Sequence, residues 1–341
     1  MNWYTDVDYQ AGYRQAMNKI QSDFSSFVET DSLNLERLIL PISTGKITNE
    51  VSNKIEEALN NLVAGDVVVY QHPTYQGSEY EQCLLNKLKE HQALVVIVAH
   101  DVLSIRDEQV VRFNSEIKLF NLANIIIVHT VAMKLRLKQY GVKVPMMTRE
   151  LPSYQTTLND TTVRSHDFNQ VIYAGNIAKA QWLLQYDQDT PISLFGHWSW
   201  QDGPEILFSS VNYHGSVDEA QLPLQNFNGF GLVWDGWQIP DFETIGRYTK
   251  YNWPMKASMY LANGLPIITW KGSPLAELTD KYNIGFSLDD LGNLTDEMSR
   301  INVEQFKIMK QAAIIYGENI RNGFNTKSVI FDAIQIITAL R

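Results

Sequence analysis

A single cysteine, Cys83, in 341 residues excludes an intramolecular disulfide and any multi-cysteine metal site, and fits a reducing compartment. Long apolar runs are equally missing: none approaches the roughly 20 residues of a membrane span. The opening Met1-Asn2-Trp3-Tyr4-Thr5-Asp6 lacks the basic region and apolar stretch of a signal peptide, so a cytoplasmic location is expected. Positive charge is scarce. With 28 Lys and Arg against 38 Asp and Glu, a formal net charge of -10 argues against a sequence-independent grip on nucleic acid or anionic lipid. Neither GxGxxG nor a Walker A sequence occurs, which removes most support for a nicotinamide enzyme or a P-loop ATPase. Low-complexity tracts and internal repeats are absent too.

What remains is an ordinary globular composition, 45% hydrophobic and 19% charged, in a chain longer than single cores usually grow. Two domains follow. Short β-branched runs at Leu38 to Ile42, Asp66 to Tyr70, Leu94 to Ala99 and Asn124 to Val128 alternate with segments of helical spacing, which predicts a parallel sheet. After Pro145 and Pro152 a polar stretch, Thr156 to His166, reads as a linker. A second series follows at Gln170 to Ala174, Ile192 to Phe195, Val211 to Tyr213, Gly229 to Trp234 and Pro266 to Thr269, with helices expected between the strands. The expected fold class is α/β with two Rossmann-like domains, residues 1–155 and 156–325. A last helix over 326–341 carries Val329, Ile330, Ala333, Ile334 and Ile337 at helical spacing. It therefore needs an apolar surface to cover, which the first domain can provide.

Ligands of open parallel sheets bind beyond the carboxyl ends of the strands. That rule selects His72 and Thr74, then His100-Asp101, then His129-Thr130, in the first half, and Gly175-Asn176 with Lys179, Gly196-His197-Trp198, His214-Gly215-Ser216, and Asp235 with Trp237 in the second. Gly175-Asn176 followed by Lys179 fits a strand-to-helix turn whose amides and cation face an anion such as a diphosphate; a glycine that only makes the turn is the alternative. From Tyr251 to Ile268, Pro254 is placed to start a helix, Lys256 falls in its first turn, Gly264 ends it and Pro266 opens a buried strand. A lysine there opposes the helix dipole, and the placement makes sense if an anion shares the site. Asp289-Asp290 reads as a solvated loop, and no paired-aspartate metal motif sits on the rim.

The helix, Gly264 and Leu-Pro-Ile-Ile layout resembles the donor-side motif of GT-B glycosyltransferases. The order Gly-Asp-Val-Val-Val-Tyr-Gln-His-Pro-Thr-Tyr at 65 to 75, Ala-His-Asp-Val at 99 to 102, Gly175-Asn176, Gly-Phe-Gly-Leu-Val-Trp at 229 to 234 and Asn-x-Pro-x-Lys at 252 to 256 is similar to the glucosyltransferase 3 family. The likeness runs from about residue 60 to the C-terminus. It implies a GT-B fold with facing parallel sheets, a UDP-sugar donor, and transfer of glucose or N-acetylglucosamine onto GlcNAc-modified serine or threonine of a serine-rich repeat glycoprotein. A homo-oligomer is implied as well.

By the same resemblance, Lys179, Tyr213, Lys256 and the adjoining Asn252 and Trp253 hold the donor nucleotide. Met255 stands where the family has histidine. Gly12 and Tyr13 are carried over as a loop reaching the donor, although Met1 to Tyr13 is short and polar where relatives show a clear first strand. For acceptor activation, Asp101 partnered by His100 is the expected base, with a helix N-cap as the other reading of that carboxylate. His72 and Thr74 are expected to shape the acceptor site, with a hydrogen-bonded structural role as the alternative for His72. Trp237 and Asp235 are expected near the donor sugar. Cations and helix N-terminal amides would stabilise the leaving UDP, with no metal or other cofactor required. A GT-B-like protein without catalysis that partners another transferase, and a UDP-sugar epimerase or phosphorylase on this fold, are the rival readings.

Overall fold

The computed structural model describes residues 1–7, 16–29, 33–43, 46–107, 110–159, 162, 167–197, 209–236 and 245–339. The chain divides into two units, one of Met1–Ser153 with Gly323–Arg341 and the other of Tyr154–Asn322.

The first unit is built on six parallel strands: β1 (Asn2–Val7), β2 (Leu35–Leu40), β3 (Val67–His72), β4 (Leu94–Ala99), β5 (Ile125–Val128) and β6 (Met146–Thr148), in the order β2-β1-β3-β4-β5-β6. Continuous Val/Ile runs suit strands covered on both faces, and β3 is buried along its whole length. Val67, Val69, Val96, Val98, Ile125 and Ile127, at the strand period of two, form one face. The C-terminal helix Phe324–Ala339 covers it with Val329, Ile330, Ala333, Ile334 and Ile337. The chain therefore returns to the first unit over its last residues.

The first strand corrects the reading of the N-terminus. Asn2–Val7 is a central strand, paired in parallel with both β2 and β3, and its polar side chains are accommodated by partners distant in sequence. Trp3 Nε1 donates to Asp66 at 2.9 Å, and Thr5 Oγ1 accepts from the Gln71 amide at 3.0 Å. A period-two apolar signal is weak there because those hydrogen bonds do the work of burial.

The second unit has strands β7 (Val171–Ala174), β8 (Ile192–Phe195), β9 (Val211–Tyr213), β10 (Phe230–Val233), β11 (Ile267–Trp270) and β12 (Gly285–Leu288), all parallel, in the order β12-β11-β10-β7-β8-β9. The strand order reverses between β7 and β10, the doubly wound arrangement in which that junction opens a crevice at the carboxyl ends. Between β7 and β8 the expected helix is replaced by two 3₁₀ turns, Ile177–Lys179 and Gln181–Gln185. The aromatic bulk that follows explains the substitution. Trp182 is fully buried and meets Tyr173 and Tyr186 edge-on at 5.8 and 6.0 Å, filling the volume a longer helix would occupy. Trp234 is likewise core, 2% exposed.

Candidate functional site

At the switch point of the second sheet, Gly175 follows β7 and Asp235 lies two residues past β10. The backbone between them is tied down: the Gly236 amide donates to the Lys179 carbonyl at 2.8 Å, and Ala180 and Gly236 form a parallel bridge. Helix Met255–Ala262 brings Lys256 in from its first turn, with Pro254 as N-cap and Gly264, at φ +71°, just past its end. Lys256 Nζ donates to Asp235 Oδ1 at 2.8 Å and sits 4.8 Å from the centre of the Tyr173 ring. Tyr173 OH donates to the same Oδ1 at 3.2 Å. Gly175 leaves room for this, since a Cβ there would stand 2.8 Å from Lys256 Cε.

The electrostatics of this cluster are internally consistent. Burial alone would raise the Asp235 carboxyl, but Lys256, then Lys179, hold it below the ordinary carboxylate range. Burial, reinforced by the Asp235 charge, pushes the Tyr173 phenol well above its usual value, so it remains a donor. Asp235 is thus an anion with two acceptor positions on Oδ1 in use, and Oδ2 accepts no hydrogen bond among the described residues. Lys179, half-buried, forms no ion pair among them.

Gly175-Asn176 differs from expectation in one respect. The turn that follows has only three residues, and Asn176 already caps it by accepting from the Ala178 amide at 3.0 Å. No helix dipole of useful length points outward, which leaves the side-chain cations to supply positive charge. Next along the rim, Gly196 follows β8, and Tyr213, 42% exposed, ends β9 with its hydroxyl donating to the Gly196 carbonyl at 3.0 Å. Asn252, Trp253 and Met255 are half-buried at the start of the helix segment, and Asn252 Oδ1 is a buried atom without a hydrogen-bond partner among the described residues. Gly12, Tyr13 and Trp237 lie outside the described residues.

The first unit gathers His72, Thr74, His100 and Asp101 at the carboxyl ends of β3 and β4, but their pairings differ from those expected. His100 Nε2 donates to Gln71 Oε1 at 2.9 Å, while Asp101 is salt-bridged to Arg106. The Asp101–His100 pair does not form, because Gln71 on the neighbouring strand captures the imidazole. Burial, then the Arg149 charge, keeps His100 well below its usual pKa, and its buried Nδ1 makes no hydrogen bond among the described residues.

His72 is held between two carboxylates, with Nδ1 3.3 Å from Glu81 and Nε2 3.0 Å from Glu116. Glu81 also accepts from the amide and hydroxyl of Thr74. Glu116 takes the Leu103 amide at 3.1 Å, the Ser104 amide at 2.9 Å and the Ser104 hydroxyl. Glu116 has thereby filled about four acceptor positions, all that a carboxylate offers. The cluster nails the loop after β3 to two helices. A cavity of about 340 Å³ opens beside it, lined by Tyr75, Leu103 and Leu119 among others.

This cluster carries a pH signature. Burial would lower His72, but Glu81 and then Glu116 raise it to about 10, against about 6.5 in an unfolded chain. Between those values the folded state binds the extra proton, so the stabilisation is complete below about pH 6.5. It falls away as the pH climbs to about 10. Urea midpoints measured across that window should decline with pH in the wild type, and the decline should be shallower in Glu116→Gln, where one carboxylate no longer raises the imidazole.

Tyr173, Glu81, Glu116 and Arg149 were not singled out from sequence. Tyr173 lies inside a strand rather than after one, and Glu116 is 44 residues from the histidine it pairs with. The acid-histidine pairing has no sequence spacing to betray it.

Comparisons with known proteins agree with this architecture. Residues 1–151 match the family model described as glucosyltransferase 3-like, N-terminal domain, and residues 171–333 match its C-terminal domain. Glucosyltransferase 3 of Streptococcus gordonii is 27% identical over 290 residues, 84% of each chain. The β-1,6-galactofuranosyltransferase WbbI of Escherichia coli K12 is 24% identical over 316 residues, covering 90% of this chain and 91% of that one. Among solved structures, Anabaena HepE in complex with UDP and glucose superposes with a TM-score of 0.65 at 11% identity, over 99% of this chain and 100% of the other. The fold is that of the two-domain α/β GT-B proteins.

Proposed function

The chain belongs to the glucosyltransferase 3-like family of glycosyltransferases, and on that premise we propose that it transfers a hexose, glucose or N-acetylglucosamine, from its UDP-sugar to the GlcNAc of a GlcNAc-modified serine-rich glycoprotein. The observation that carries the donor side is the convergence of Lys256 and Lys179 on Asp235, with Lys256 packed over Gly175, at the switch point of the second sheet. A hydroxyl oxygen of the acceptor attacks the anomeric carbon of the hexose, the bond from that carbon to the β-phosphate oxygen breaks, and the hydroxyl proton passes to a base. Negative charge develops on the departing UDP, where preorganised cations are most effective. Lys256 and Lys179 supply that charge, so the reading requires no metal or other cofactor.

On this reading Tyr213 and the glycine-lined rim of β7 and β8 flank the nucleotide, with Asn252, Trp253 and Met255 beside the ribose-diphosphate. Gly12 and Tyr13 are kept as donor contacts on the family resemblance. Asp101, oriented by its ion pair with Arg106, is the proposed base, while His72 and Thr74 act indirectly by holding the loop after β3 in shape. A homo-oligomer in the cytoplasm is part of the same proposal.

The decisive assay measures UDP release from a panel of UDP-hexoses, with and without a GlcNAc-modified serine-rich peptide. One donor should give turnover that depends on the peptide. Sugar isomerisation without acceptor would point instead to an epimerase, and failure to bind any donor would leave a non-catalytic partner.

A further inference from the structure

The oxygens of Asp235 are used unequally. Oδ1 accepts from both Lys256 Nζ, at 2.8 Å, and Tyr173 OH, at 3.2 Å. Oδ2 accepts no hydrogen bond among the described residues, although the Asp235 side chain retains 20% exposure at the mouth of the crevice. A carboxylate can rotate, so something must decide which oxygen faces outward. Lys256 alone cannot, because its ammonium sits on a flexible stem and can follow either oxygen. The Tyr173 phenol can: its ring is fully buried, wedged edge-on against Trp182, and it has one O–H to give.

We propose that Tyr173 is a positioning residue for donor-sugar recognition. By donating to Asp235 Oδ1 beside Lys256, it turns Oδ2 outward as the acceptor for a hydroxyl of the transferred hexose. This inference rests on the proposed use of the site for a UDP-hexose and adds a division of labour to it. Lys256 and Lys179 face the diphosphate, which every UDP-sugar shares. Asp235 Oδ2 faces hydroxyls, which differ between hexoses. A hydroxyl donor is the group that matches: an ionised carboxylate can only accept, and a phosphate oxygen there would be repelled. A hexose that places its hydroxyl toward Oδ2 is retained, and an epimer that turns it away leaves a desolvated carboxylate oxygen unsatisfied.

The test is calorimetric binding of UDP, UDP-glucose, UDP-N-acetylglucosamine and the 4-epimer UDP-galactose, without acceptor, to the wild type, Tyr173→Phe and Asp235→Asn. For Tyr173→Phe, UDP affinity should stay within about twofold, while the preferred UDP-hexose should weaken by about 5–10-fold, the value of one hydrogen bond. Discrimination between epimers should narrow by the same factor. Asp235→Asn should also lose the preference for UDP-hexose over UDP, and it carries the test should Tyr173→Phe not fold.

A role confined to structural support would weaken UDP and UDP-hexoses equally, and that result overturns the proposal. So does an unchanged ratio in both variants. If the wild type binds no uridine nucleotide at all, the transferase reading fails first and takes this one with it. Binding of UDP with unaltered sugar discrimination in the variants leaves the transferase reading standing and removes only the role given to Tyr173.

Discussion

Lys256→Ala should lower acceptor-dependent UDP release by roughly two to three orders of magnitude, the usual loss when one preorganised donor to developing charge is removed. The argument is geometric. Lys256 is held over Gly175 by its helix, by Asp235 and by the face of Tyr173, so little reorganisation separates its resting place from contact with a phosphate. Removing it also leaves Asp235 as an anion whose remaining cation, Lys179, lies in a half-exposed turn. A bound diphosphate would then meet a carboxylate without its partner, and donor affinity should weaken along with turnover. The informative comparison is single-turnover against steady-state UDP release, with thermal stability as a control. Lys256 is largely buried, its side chain 14% exposed, and its removal leaves the Asp235 carboxylate short of a partner, so some stability is lost as well and turnover is compared at a temperature where both proteins remain folded. Retention of turnover within tenfold of the wild type would sink the donor-site assignment.

The second large effect concerns the backbone beneath that site. Gly196→Ala should destabilise the protein by about 3 kcal/mol or more, combining left-handed backbone strain with overpacking. Gly196 has φ +150°, and a Cβ would fall 1.9 Å from the Gly175 carbonyl oxygen, an atom that is part of the main chain and has no rotamer to escape into. The Gly175 amide is itself bonded to the Phe195 carbonyl at 3.0 Å, so β7 and β8 cannot separate without breaking their ladder. Denaturant midpoints would register the loss, and UDP binding should fall with it because the Gly175 turn must shift. A control at Gly215, where a Cβ meets nothing within 4 Å, should cost less, its φ of +81° being the only penalty. Equal effects at the two glycines would show that the close approach is not what matters.

These expectations depend unequally on what could be read beforehand. The helix beginning at Pro254 and closing at Gly264 was legible because caps and breakers are local: a proline at the N-cap and a glycine past the end act through their own backbone. Strands Leu94–Ala99, Ile192–Phe195 and Val211–Tyr213 were legible for a similar reason, since β-branched and aromatic residues bounded by polar turns have few other ways to lie. The N-terminal strand was not, because its polar atoms are satisfied by Asp66 and Gln71, more than 60 residues away. The 3₁₀ turns after β7 escaped as well. Trp182 occupies space that only the assembled sheet defines.

By itself the sequence determined the class of fold, where most strands run and the family, because burial periodicity, capping and motif order are written in neighbouring residues. Only the tertiary structure decided the pairings: Lys256 with Asp235 and Tyr173, His100 with Gln71 rather than Asp101, and His72 with Glu81 and Glu116. Hydrogen bonds and charges act through space over a few ångströms, and the register of parallel strands joined by long crossovers sets which distant side chains come that close.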